Sequence, residues 1–173
     1  AAAYSLATQA MENDAVRDEL VPCDATEAGE DDCAETVLSA FGARAWRRPL
    51  TEDELEVLVD LCGEASEVLG GFDAGLVYGL AAILQSPNFL FRVELGEPDP
   101  NSGDRRFTGY EMASKLSFFL WNTIPDEALM MSAELGELTE DEGLLAQVDR
   151  MMADPRFEDG LREFFADMLS LHE

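Results

Sequence analysis

Ala45-Trp46-Arg47-Arg48-Pro49-Leu50-Thr51-Glu52-Asp53-Glu54-Leu55 ends one helix and begins another. Pro49 has no N–H to donate and cannot continue a helix. Thr51 followed by Glu54 reads as a capping box, the hydroxyl capping the first turn and the carboxylate reaching back. Leu55, Leu58, Val59 and Cys62 then recur at i, i+3, i+4 and i+7, which places an apolar stripe on a helix that stops at Gly70-Gly71. Upstream, Val37, Leu38, Phe41 and Ala45 share a face over residues 34–46. This pattern predicts an all-α protein.

The same signals recur along the chain. A first helix is expected over residues 4–20, ending at Val21-Pro22. Residues 74–85, with Asp73 as cap, are almost uncharged and apolar on several faces, which predicts a central helix. Thr108 with Glu111 repeats the capping box before residues 110–121, and Thr139 with Glu142 gives a third box before residues 144–152. Asp126 opens a helix that ends near Gly136, and Asp154-Pro155 opens the last one. No convincing alternating strand is found. The expectation is about seven short helices in two packed helical subdomains. Residues 1–96 form the first, 97–107 (with Glu97-Pro98-Asp99-Pro100-Asn101-Ser102-Gly103) form a linker, and 108–173 begin a second helical domain.

The chain has 173 residues, 47% of them hydrophobic, enough for a real core. Its 11 basic and 37 acidic residues leave a net charge of −26, which argues against nucleic acid and anionic membranes as partners. The acids are scattered along the helices, as expected for salt adaptation or solubility. No apolar run is long enough for a membrane span. Ala1-Ala2-Ala3-Tyr4 lacks the basic lead of a signal peptide, and both ends read as cut from something longer.

Cys23 and Cys33 flank a polar, helix-poor loop, while Cys62 lies in an apolar helical stretch. A Cys23–Cys33 disulfide in an exported protein, with Cys62 as a buried thiol, is one reading. Free cytosolic thiols are the other. Catalytic patterns are sparse. The one histidine, His172, stands two residues from the last position, which disfavours a Ser–His or Cys–His relay. Neither a haem-attachment Cys-x-x-Cys-His nor a zinc ligand set is found, so no cofactor is expected in this chain. Asp24 to Glu35 matches a calcium loop at positions 1, 6 and 12, but Ala28 supplies no oxygen at position 5. Asp99, Asn101 and Asp104 make a second oxygen-rich turn, and both read more simply as solvated acidic loops.

Among the acids, Glu94 and Glu111 have apolar neighbours and are the candidates for burial, paired with Arg92 or Lys115. Arg44, Arg47 and Arg48 sit at a helix end, where cations complement the dipole. Arg47, Arg48, Arg92, Glu94 and Glu111 are therefore candidates for structural ion pairs, with no catalytic residue assigned. Phe89, Phe91, Phe118, Phe119, Trp121, Phe164 and Phe165 are expected to form a core and an inter-subdomain seam.

Four short segments together resemble a family of exported bacterial proteins of unknown function, found in planctomycetes and myxobacteria, whose members carry tandem domains of unknown function. Trp46-Arg47-Arg48-Pro49-Leu50-Thr51 is similar to the opening of the smaller domain, and Ser86-Pro87-Asn88-Phe89-Leu90-Phe91-Arg92-Val93-Glu94 to its close. Tyr110 to Trp121, then Pro125-Asp126, resemble the start of the larger one, continued by Met152-Ala153-Asp154-Pro155-Arg156. Lys115 stands where relatives tend to have arginine. Such proteins often lie beside planctomycetal cytochrome c modules. The resemblance therefore implies export to the periplasm or outer surface, the remaining domains of the full-length protein as partners, and a c-type cytochrome as another. It implies a scaffold or interaction segment of a redox-associated multidomain protein. The alternative is a fragment of a hydrolase of polymeric carbohydrate, its site completed by missing C-terminal domains.

Overall fold

The computed structural model describes residues 1–100 and 102–171. Helices dominate, in two compact units, residues 1–92 and 93–173. The first unit carries α1 (Ala2–Glu12), α2 (Asp14–Leu20), α3 (Ala25–Ala28), α4 (Glu30–Trp46), α5 (Glu52–Leu69), α6 (Phe72–Gln85) and α7 (Pro87–Leu90). The second carries β1 (Glu97–Pro98), β2 (Arg105–Arg106), α8 (Gly109–Trp121), α9 (Glu127–Glu134), a 3-10 turn Glu137–Thr139, α10 (Asp141–Ala153) and α11 (Arg156–Leu169). The all-α expectation holds, but the count of about seven helices is corrected to eleven α-helical segments among the described residues.

The extra segments have local causes. Asn13 leaves the helical region at φ −93° and ψ 105°, and its side chain accepts from the Val16 N–H, so the helix expected over 4–20 becomes two. The cysteine loop is not helix-poor. Asp24 caps the single turn α3, and α4 begins at Glu30, so Cys33 already lies inside a helix. Ser86 caps α7, with Pro87 at its first position, where a missing N–H costs nothing.

α6 is the hub of the first unit, packing against α5, α1 and α4. Leu76, Leu80 and Ile83 are fully buried beside Val37, Leu38 and Cys62. The chain turns back from α5 through Gly70 at φ 82°, a left-handed conformation that favours glycine. Gly75 then lets α6 lie directly on α5, because a Cβ there would strike Ser66 Oγ and the Cys62 carbonyl. Asp73 does not cap α6 as expected. The cap is Gly71, and the Asp73 carboxylate instead takes two bonds from Arg17, at 2.8 and 2.9 Å.

In the second unit α8 packs against α9 and α11 over a core of Ala113, Trp121, Leu129, Leu138 and Met151. The capping box at Thr108 and Glu111 is present in both directions. The one expected at Thr139 is not. Its hydroxyl donates to the Gly136 carbonyl at 2.8 Å, and the residue belongs to the 3-10 turn anchored by buried Leu138, so α10 starts from Glu140 without a side-chain cap. Residues 97–107 hold the two-residue antiparallel ladder β1–β2, registering Glu97 with Arg106 and Pro98 with Arg105.

Of the aromatic set expected in the core, Trp121 is buried, whereas Phe89, Phe91, Phe119, Phe164 and Phe165 are exposed.

Candidate functional site

In each unit a tryptophan at a helix end donates its indole N–H to a backbone carbonyl of another helix. Trp46 Nε1 donates to the Ile83 carbonyl at 3.2 Å, and Trp121 Nε1 to the Met151 carbonyl at 3.0 Å. Arginines then bind the chain around each ring.

Arg47 closes α4 in the left-handed region at φ 60°, which turns its side chain back into the first unit. Its guanidinium donates to the carbonyls of Ala45 (2.9 Å), Asn88 (2.7 Å) and Phe91 (2.9 Å). The side chain thus joins the end of α4 to α7, and the first two sequence segments become one clamp. Burial, seconded by the charge of exposed Arg92, lowers the Arg47 pKa from its ordinary value. Arg48 forms a two-pronged pair with Glu54, 2.8 Å on each arm, and lies 5.3 Å from the Trp46 ring centroid. The Arg48 bond, with support from Thr51, holds Glu54 down to about 2. Glu54 therefore accepts from both Arg48 and the Thr51 N–H, tying the capping box to the preceding helix end.

The second clamp centres on Asp126. This residue caps α9 through the Leu129 N–H and accepts two bonds from Arg150 and one from Arg156. Arg156 also forks onto Asp154, at 2.8 and 2.7 Å, and its Cζ stands 3.5 Å from the Trp121 ring centroid. A guanidinium stacked so closely combines cation–π attraction with charge-assisted bonds. Burial works to raise Asp126, yet its bonds from Arg150 and Arg156 prevail and hold it below the usual carboxylate range. Asp154 is held down to about 2 by Arg156.

The remaining sequence candidates lie apart from these clamps. Glu94 is exposed rather than buried and pairs with Lys115 at 3.1 Å. Lys115 also lies over the Phe107 ring, 4.4 Å from its centroid. Glu111 accepts backbone N–H bonds from Leu95, Gly96 and Thr108, so its partners are peptide groups rather than Arg92 or Lys115. Burial works to raise its pKa, but those three donors hold it below the ordinary value. Arg47, Arg48 and Arg92 belong to the first unit, Glu94 and Glu111 to the second. Missed in the sequence was Asp126 as an arginine hub. Its Pro125-Asp126 setting indicated only a cap, because Arg150 and Arg156 come from distant turns.

Cys23 and Cys33 form a disulfide with Cα atoms 5.7 Å apart, and Cys62 is a buried free thiol. The bond borders an open depression of about 490 Å³ in the first unit, lined also by Arg17, Asp24, Thr26, Phe72 and Asp73. The Arg17–Asp73 pair neutralises its own charges across that wall. The calcium-loop template is occupied otherwise: Asp24 Oδ1 accepts from the Thr26 N–H and hydroxyl, and residues from Glu30 onward are helical. Among the described residues no group of three or more His, Cys, Asp and Glu is placed to hold a metal ion. His172 and Asn101 lie outside the described residues.

No helix among the described residues is long and apolar enough to cross a membrane. No curated protein and no solved structure matches the chain. Residues 33–94, from Cys33 in α4 to just beyond α7, match the family described as "PSD5: Protein of unknown function (DUF1595)", and residues 107–173 match the one described as "PSD4: Protein of unknown function (DUF1592)". Each helix clamp falls within one match, and the chain thus carries matches to two domains of unknown function in tandem.

Proposed function

We propose that the chain is a helical scaffold and interaction segment of an exported, multidomain, redox-associated protein. The observation that carries this reading is the use to which the charged groups of the four sequence segments are put. Arg47 spends its guanidinium on three carbonyls, Arg48 on Glu54, and Arg150 and Arg156 on Asp126 and Asp154. The carboxyls that clearly depart from their ordinary pKa, namely Asp24, Glu54, Glu111, Asp126 and Asp154, all move down. A carboxylate held charged by such partners is a bond acceptor, whereas a general acid needs the opposite shift.

Export is supported by the Cys23–Cys33 disulfide, which suits an oxidising compartment. The remaining domains of the full-length protein and a c-type cytochrome are the partners that the sequence resemblance suggests.

The test is a reducing-end assay of the purified chain against a panel of polymeric carbohydrates. No release above buffer is expected. Release by the parent that is lost in Asp126→Asn or Glu54→Gln, with both variants folded, would overturn the scaffold reading in favour of a hydrolase fragment.

A further inference from the structure

α11 packs against α8 and α10, and its closest approach is at Gly160. Gly160 is buried, and its missing side chain lets α11 lie against the end of α8, since a Cβ there would strike the Leu120 carbonyl. Phe157 packs partly against the second core. Beyond them stand Leu161 (45% exposed), Phe164 (51%), Phe165 (44%) and Met168 (57%). Their spacing of i, i+3, i+4 and i+7 gathers them into one stripe. By the same helical geometry Glu158 borders the stripe on one side, next to Arg162, which is paired with Asp159, and Asp167 borders it on the other, all of them exposed.

We infer that this face of α11 is the docking surface for a partner helix of opposite character, an apolar stripe bordered by lysines and arginines. The inference deepens, and rests on, the reading of the chain as an interaction segment. Large apolar side chains left this open and aligned at one-face spacing mark a binding surface, with the helix-in-groove mode as the matching geometry. Charge selects the occupant. A second copy would bring a second net charge of −26 against the first. An anionic lipid surface is repelled in the same way. A basic helix meets this strongly acidic chain with complementary charge while burying its own stripe.

The probe is a synthetic Leu/Lys amphipathic peptide of roughly 18 residues, long enough to become helical on contact. A Leu/Glu peptide of the same pattern is the control. Both are titrated by fluorescence anisotropy in about 0.3 M salt, which suppresses loose ionic attachment to an acidic protein. The Leu/Lys peptide is expected to bind and the Leu/Glu peptide not. The double variant Phe164→Ser/Met168→Ser keeps the net charge, so any ionic background stays the same. It is expected to weaken binding at least about tenfold with an unchanged melting temperature.

Equal affinity of parent and variant would overturn the inference. A variant that melts well below the parent would do so too, because the chain itself would then cover the face. Sedimentation showing dimers that the variant abolishes would hand the surface to a second copy. Flotation with phosphatidylcholine vesicles, lost in the variant, would hand it to lipid. None of these results bears on the reducing-end assay, so the two readings fail separately.

Discussion

Reduction of the Cys23–Cys33 bond is the most direct perturbation of the first unit. The bond ties the segment before α3 to the first turns of α4, where Cys33 is completely buried among Val37, Leu38 and Leu76. With a sequence separation of 10, the loop-closure entropy removed from the unfolded chain amounts to about 3 kcal/mol. For a unit of this size that corresponds to a fall in melting temperature of about 12–20 °C. Reduction is preferable to substitution, because a hydroxyl at position 33 would add an unpaired polar group to the core. Cys62 does not confuse the experiment: burial pushes its thiol up to about 11, so little thiolate is present near neutral pH to attack the bond. The assay is thermal unfolding by circular dichroism with and without a phosphine reductant, with intact mass measured under non-reducing conditions. One free thiol is expected before reduction and three after. Three free thiols in protein that has never met reductant would refute the pairing. An unchanged melt after verified reduction would refute the energetic reasoning, because α4 would then be held by its apolar face alone.

Other expectations concern single side chains. Gly75→Ala places a methyl against Ser66 and the Cys62 carbonyl, and should cost about 3 kcal/mol in urea unfolding. Arg47→Lys cannot reach three carbonyls at once, and a loss of about 2 kcal/mol in the same measurement is expected. Arg156→Lys removes both the fork on Asp154 and the guanidinium stacked on Trp121, so the near-ultraviolet dichroism of that ring should change and the second unit lose about 1–2 kcal/mol. Glu54 is held at about 2 against an ordinary 4.5, so its contribution is complete above pH 4.5 and fades as the pH falls towards 2. Glu54→Gln should flatten the acid limb of the stability profile over that interval, and an unaltered limb would contradict the pairing with Arg48.

Much of the helical layout was legible from local chemistry. Thr51 with Glu54 and Thr108 with Glu111 form the expected boxes because every group involved lies within one turn of chain. The uncharged run that becomes α6 occupies the centre of the first unit because none of its faces suits water. Thr139 shows where such reading stops. Its box was satisfied on paper, yet burial of Leu138 drew the residue into a 3-10 turn and its hydroxyl to Gly136. Asn13 and Asp73 likewise left the roles that local pattern suggested, one to break a helix and the other to hold Arg17 from a distant segment.

The amino-acid sequence by itself determined the fold class, the acidic surface and the tandem matches to domains of unknown function, since propensity, charge and spacing are properties of neighbouring residues. Only the tertiary structure decided what the four segments do. The bonds that matter there run from Arg47 to Asn88 and Phe91, and from Asp126 to Arg150 and Arg156. Such pairings join residues far apart in the chain, and their partners emerge only once the helices between them have packed.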